Sequence, residues 1–154
     1  MEYSNEKEIK ENIVIKINGK IIEFTYYYKF NKEGKFKIEY SFKNNLTRTC
    51  DMFAGCNSLI SLDLSNFNTQ NVTNMESMFY HCHSLISLFL SNFNTQNVID
   101  MYGMFYGCNS LKSLDLSNFN TQNVTDMSWM FGDCKSLENI KTKDGKILKA
   151  LYKF

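Results

Sequence analysis

The chain has 154 residues, 44% of them hydrophobic and 15% aromatic, which is enough to bury one core and argues against disorder. Its 17 basic and 16 acidic residues leave a net charge of +1, so no general attraction for nucleic acid or an anionic membrane is expected. The charges are segregated: residues 46–134 hold only Arg48 and Lys112 against seven acids, whereas both ends carry a small excess of lysine.

In chain order, residues 1–45 come first. MEYSNEKEIKEN has no apolar core of the kind a secretory leader needs, and no stretch approaches the roughly 20 apolar residues of a membrane span. The expected location is therefore intracellular; the alternative is the cell surface, if a leader has been removed. NIVIKI, the pair Asn18-Gly19 and KIIEFTYYYKF make a strong hairpin signal, with Ile22, Phe24, Tyr26, Tyr28 and Phe30 on one face. A second turn at 31–34 and the segment KFKIEYSF complete an expected three-stranded antiparallel meander. It serves as an N-terminal cap, and its last strand becomes the first strand of the repeat array.

Residues 46–140 are repetitive. LSNFNTQNV occurs at 64–72, 90–98 and 116–124, identical each time and 26 residues apart. Leu59, Leu85, Leu111 and Leu137 fall in the same register, as do Phe53, Phe79, Phe105 and Phe131, and Cys56, Cys82, Cys108 and Cys134. Within a unit, Leu59-x-x-Leu62-x-Leu64 alternates as a short strand does. Val72, Met75, Met78, Phe79 and Cys82 fall at the three-to-four spacing of a helix face starting near residues 71–73. The fold expected from this reading is an α/β solenoid, a leucine-rich-repeat-like stack of strand, turn, helix and turn. One unit buries too little apolar surface to offset the ordering of its own backbone, so the units must stack. Aligned asparagines at 66/92/118, 68/94/120 and 71/97/123 are expected to bond along columns. In residues 141–154, Asp144-Gly145 interrupts the repeat, and KILKALYKF is expected to fold back as a C-terminal cap, as strand or helix.

The run Met-Phe-x-x-Cys-x-Ser-Leu-x-x-Leu-x-Leu-Ser-Asn-Phe-Asn-Thr-x-Asn-Val-x-x-Met, as in 52–75, resembles the BspA-like leucine-rich repeats, including the surface-protein 26-residue-repeat group. The resemblance covers residues 46–140. It implies macromolecular binding, often adhesion at cell surfaces, and no shared catalytic site.

Chemistry-bearing residues are few. Cys82 between His81 and His83 suggests a metal or thiolate site, but the cysteine continues the inward stripe, and other units replace the histidines with Gly107, Asn109, Asp133 and Lys135. The cysteine and methionine columns are read as core. No cofactor, no metal and no enzymatic activity are expected. Sequons at Asn45, Asn71 and Asn123 share one repeat position and are read as by-products of duplication.

Two surfaces are candidates for a partner. The concave strand face presents Asp63, Phe89, Asp115 and Lys141 in one column, with Phe89 either a hydrophobic anchor or a substitute that avoids three carboxylates in a row. The convex helix face presents Tyr80, Tyr102, Tyr106 and Trp129, where other units have Ala54, Ser128, Gly132 and Gly103. These rings are read either as a contact patch or as packing between units. The expected function is a protein-interaction module, an intracellular subunit or adaptor that is monomeric or part of a hetero-assembly. It has a protein partner of unknown identity and involves neither nucleic acid nor membrane insertion. A cell-surface adhesin is the alternative.

Overall fold

The computed structural model describes residues 10–23, 29, 31–32, 38–42 and 45–151. It divides into two compact units, residues 1–46 and 47–154.

In the first unit β1 (Ile13–Ile17) and β2 (Lys20–Ile22) form the expected hairpin. Asn18 (φ 49°) and Gly19 (φ 81°) supply the two left-handed residues that a tight hairpin turn with the native strand twist requires. β3 (Ile38–Phe42) pairs antiparallel with β1, Ile15 lying opposite Tyr40, so the strand order is β2-β1-β3. This corrects the meander expectation, in which the strands pair in sequence order. It also removes KFKIEYSF from the repeat array, because its residues 38–42 complete a separate antiparallel sheet. The proposed apolar row Phe24, Tyr26, Tyr28 and Phe30 lies outside the described residues.

The second unit overturns the expected fold class. No strand-turn-helix rung forms among the described residues, because the segments assigned to helices are successions of tight turns. Each 26-residue coil contributes one short strand: β4 (Ser61–Asp63), β5 (Ser87–Phe89), β6 (Ser113–Asp115) and β7 (Asn139–Lys141). β4 pairs with β5, and β6 with β7, both parallel and in repeat register; Leu62 lies opposite Leu88 and Leu114 opposite Ile140. A second ladder of single bridges links Arg48, Asn74, Asp100 and Asp126.

The backbone explains why an α-helix does not form. An α-helix sends every interior N–H to a carbonyl four residues earlier. Here alternate N–H groups take different partners. Met78, Tyr80 and Cys82 donate three residues back, to Met75, Ser77 and Phe79, whereas Met75, Ser77, Phe79 and His81 donate to the carbonyls of Asp100, Tyr102, Met104 and Tyr106 in the next coil. The apolar spacing that suggests a helix face therefore marks overlapping four-residue turns, closed at Met75/Met78, Ser77/Tyr80 and Phe79/Cys82. Two residues per coil turn the chain with positive φ: Asp51, Ser77, Gly103 and Trp129 at one position, and Gly55, His81, Gly107 and Asp133 at the other.

Side chains stack in columns inside these coils. Phe53, Phe79, Phe105 and Phe131 lie ring over ring with centroids 5.6, 5.6 and 5.8 Å apart, and Phe67, Phe93 and Phe119 form a second pile. The hydroxyl of Thr69 donates to the Asn94 carbonyl (3.0 Å) and accepts from the Asn94 amide (2.8 Å), and Thr95 repeats this with Asn120. The asparagine columns bond to backbone: Asn68, Asn94 and Asn120 accept from the amides of Gln70, Gln96 and Gln122 in local turns, while the side-chain amides of Asn97 and Asn123 donate to Gln70 and Gln96 of the preceding coil. After the last coil comes the helix α1 (Gly145–Leu151), whose Ile147 is fully buried.

Candidate interaction surface

The strand face is built by the pleat. Leu62, Leu88 and Leu114 point inward, and the residues on either side point out. Asp63 lies in register with Phe89, and Asp115 with Lys141. Phe89 is 54% exposed. Lys141 Nζ donates to Asp115 Oδ2 at 2.8 Å, and this bond, with those from Ser117, holds the Asp115 carboxyl down at about 2. Asp63 has no cation partner among the described residues; hydrogen bonds from the Ser65 hydroxyl and amide keep its carboxyl below the usual range. β5 and β6 neighbour each other but are not paired into one sheet, so Phe89 stands beside a break between two ladders.

Two exposed apolar residues that sequence reasoning missed lie just before these strands. Ile60 and Ile86, 61% and 49% exposed, precede β4 and β5 and are joined by the bond from the Ile86 amide to the Ile60 carbonyl (2.8 Å). Their column continues as Lys112 and Glu138, and this switch from apolar to charged was the available signal. The exposed side chains at these positions are thus Ile60, Asp63, Ile86 and Phe89 on the first two coils and Lys112, Asp115, Glu138 and Lys141 on the last two.

The second candidate set lies on the turn ribbon, since there is no helix face to carry it. Tyr80 and Tyr106 are half-buried and stacked at 5.1 Å, and both meet the His81 ring edge-on. Trp129 touches Tyr106 edge-on at 6.2 Å and remains 54% exposed, while Tyr102 is 37% exposed. Tyr80 and Tyr106 therefore pack coil against coil, and Tyr102 and Trp129 are the more exposed of the four rings. The packing depends on glycine: a Cβ on Gly107 would stand 2.5 Å from His81 Nδ1, and one on Gly132 would stand 2.7 Å from the Tyr106 ring.

The cysteine column is bonded from coil to coil. The thiols of Cys82, Cys108 and Cys134 donate to the carbonyls of Phe53, Phe79 and Phe105 at 3.1, 3.2 and 3.0 Å. Burial, reinforced by the neighbouring Cys56, pushes the Cys82 thiol up to about 12, and burial pushes Cys108 up as well. Such thiols make poor nucleophiles at neutral pH. His83 Nδ1 lies 3.0 Å from the Gly107 carbonyl. Among the described residues no group of three or more potential ligands is placed to hold a metal ion, and no helix is long and apolar enough to cross a membrane.

No curated protein and no solved structure matches the chain. A family model described as a Mycoplasma protein of unknown function, DUF285, matches residues 47–150, the whole coil array, and the chain belongs to that family.

Proposed function

We propose that the chain is a protein-binding module without catalysis of its own, and that it engages its partner through the outward strand face centred on Phe89. The observation that carries this reading is the exposed phenyl ring of Phe89 in register with Asp63, whose carboxylate has no cation partner among the described residues, with Ile60 and Ile86 exposed just before the two strands. Exposed apolar side chains clustered on one side of a soluble protein mark contact surfaces more often than isolated ones do. The complementary surface is apolar with a basic neighbour. S–H donation along the cysteine column requires reduced thiols, which supports an intracellular setting for the module. Affinity capture from the native cell identifies the partner, and Phe89→Ser tests the face without touching the core. Loss of about 2 kcal/mol or more of binding is the expected result. Unchanged affinity removes the strand face from the interaction.

A further inference from the structure

The fourth coil is closed by α1 along only part of its edge. In the inner coils each buried threonine hydroxyl is satisfied by the backbone of the next coil, and an asparagine side chain reaches back to a glutamine carbonyl. At the fourth coil, where no further coil follows, Asp144 accepts from the Thr121 amide (2.9 Å) and hydroxyl (2.6 Å). Lys146 Nζ donates to the carbonyls of Thr121 (3.0 Å), Gln122 (3.2 Å) and Val124 (2.8 Å). One carboxylate and one ammonium thus stand in for a fifth coil as far as Val124.

The substitution stops there. In the inner coils the carbonyls of Thr73 and Ile99 accept from the amides of Ile99 and Thr125, and the amides of Met75 and Met101 donate to Asp100 and Asp126. The matching groups of the fourth coil, the Thr125 carbonyl and the Met127 amide, have no hydrogen-bond partner among the described residues. The amides of Phe131 and Asp133 also lack one, although their counterparts Phe105 and Gly107 donate to Met130 and Gly132. Beside this edge runs an open groove of about 570 Å³ between residues 124–129 and the α1 side chains of Lys146, Lys149 and Ala150.

We propose that this groove binds an extended segment of a partner protein that carries a carboxylate side chain, laid parallel to residues 125–127 where a fifth coil would lie. Three features select that ligand. An acceptor at Thr125 and a donor at Met127, flanking the bridge residue Asp126, form the edge that takes an extended backbone, as in strand addition. A phosphate polyanion has nothing to donate to the Thr125 carbonyl. The groove holds two ammoniums against one carboxylate, and Asp126 Oδ1 already accepts from the Ser128 amide (2.8 Å). Lys146 is committed to its three carbonyls, whereas Lys149 is exposed and has no ion-pair partner among the described residues, so it is the cation left for a carboxylate. Trp129, at the end of the groove, holds a half-exposed indole at φ 60°, a conformation that is costly for so large a residue, and its ring offers apolar cover to the bound segment. This site lies on the turn ribbon and does not rest on the Phe89 face.

The test uses the full chain and a fluorescent, end-blocked peptide carrying Gln96–Gly103 (QNVIDMYG), which in the third coil covers the equivalent edge of the second. Saturable anisotropy is expected, weakened by about ten-fold or more by Lys149→Glu or Trp129→Gly in chains that keep their melting temperature. A peptide with Asp100→Asn is expected to bind more weakly than the parent. In a 15N-labelled chain the amide resonances of Met127 and of its groove neighbours Ser128 and Trp129 are expected to shift on binding. Any of four results overturns the proposal: no binding, equal binding of a scrambled peptide, indifference to both variants, or displacement of the peptide by a single-stranded oligonucleotide. Peptide binding that shifts the residues around Phe89 instead also overturns it, without touching the strand-face reading.

Discussion

Thr95 and Thr121 hold the same place in successive coils, and both are buried. Thr95 is satisfied by the backbone of the next coil, and Thr121 by the side chain of Asp144. An inner coil therefore depends on a neighbour identical to itself, whereas the last coil depends on particular residues that imitate one. Inner positions should accordingly be sensitive to lost volume, and the end to lost charge or hydrogen bonds.

The largest expected effect tests the inner coils. Phe105 is fully buried between Phe79 and Phe131, so Phe105→Ala should cost about 3–5 kcal/mol in urea unfolding. Phe53→Ala at the half-buried start of the pile should cost clearly less. Equal losses would mean that the two coils are not distinguished by their neighbours.

At the end of the stack, Asp144→Ala leaves the buried Thr121 hydroxyl unsatisfied and removes the acceptor for the amides of Lys146 and Ile147 at the start of α1. A loss of about 2 kcal/mol is expected. This contribution depends on pH. Partial burial pushes the Asp144 carboxyl up, but the hydrogen bonds from Thr121, Ile147 and Lys146 outweigh it and hold the carboxyl below its unfolded value. A depressed folded pKa stabilises the fold above the unfolded pKa, so the cap is at full strength near neutrality and weakens as pH falls below about 4. The Asp144→Asn variant should lose that acid-dependent component, and an unchanged acid limb would remove the carboxylate from the cap.

Smaller effects sharpen the same contrast. Asp51 holds φ 55° where Gly103 stands two coils later, and Asp51→Gly should stabilise by about 0.5–1 kcal/mol by relieving left-handed strain. Cys56 is exposed while Cys82 and Cys108 are buried and bonded, so a thiol reagent at mildly alkaline pH should label Cys56 first and reach the other two only on unfolding. The smallest response is expected from Lys141→Ala. Its ion pair with Asp115 is solvent-exposed, and the melting temperature should not move measurably.

Much of the candidate surface was legible from alternation. Leu88-x-Leu90 places Phe89 outward, and the chain does so. Tyr80 and Tyr106 were not legible as a stacked pair, because whether a ring on a turn faces solvent or the next coil depends on what stands opposite. Gly107 and Gly132 leave the space into which the preceding rings fold. The groove beside α1 was also hidden. Asp144-Gly145 signals an interruption, but only the placement of Asp144 and Lys146 shows how far the closure extends.

The sequence alone determined the 26-residue period, the residues that stack in columns, the Asn18-Gly19 hairpin and the inward faces of the short strands. Those features follow from repetition and from side-chain alternation, which are local. The tertiary structure decided the rest, beginning with the conversion of an apparent helix into a ribbon of turns. A three-to-four spacing of apolar residues fits either a helix or overlapping four-residue turns, and the choice depends on where the alternate N–H groups find acceptors. For Met75, Ser77, Phe79 and His81 those acceptors lie 25 residues away, on the neighbouring coil. Only the folded stack brings them within reach.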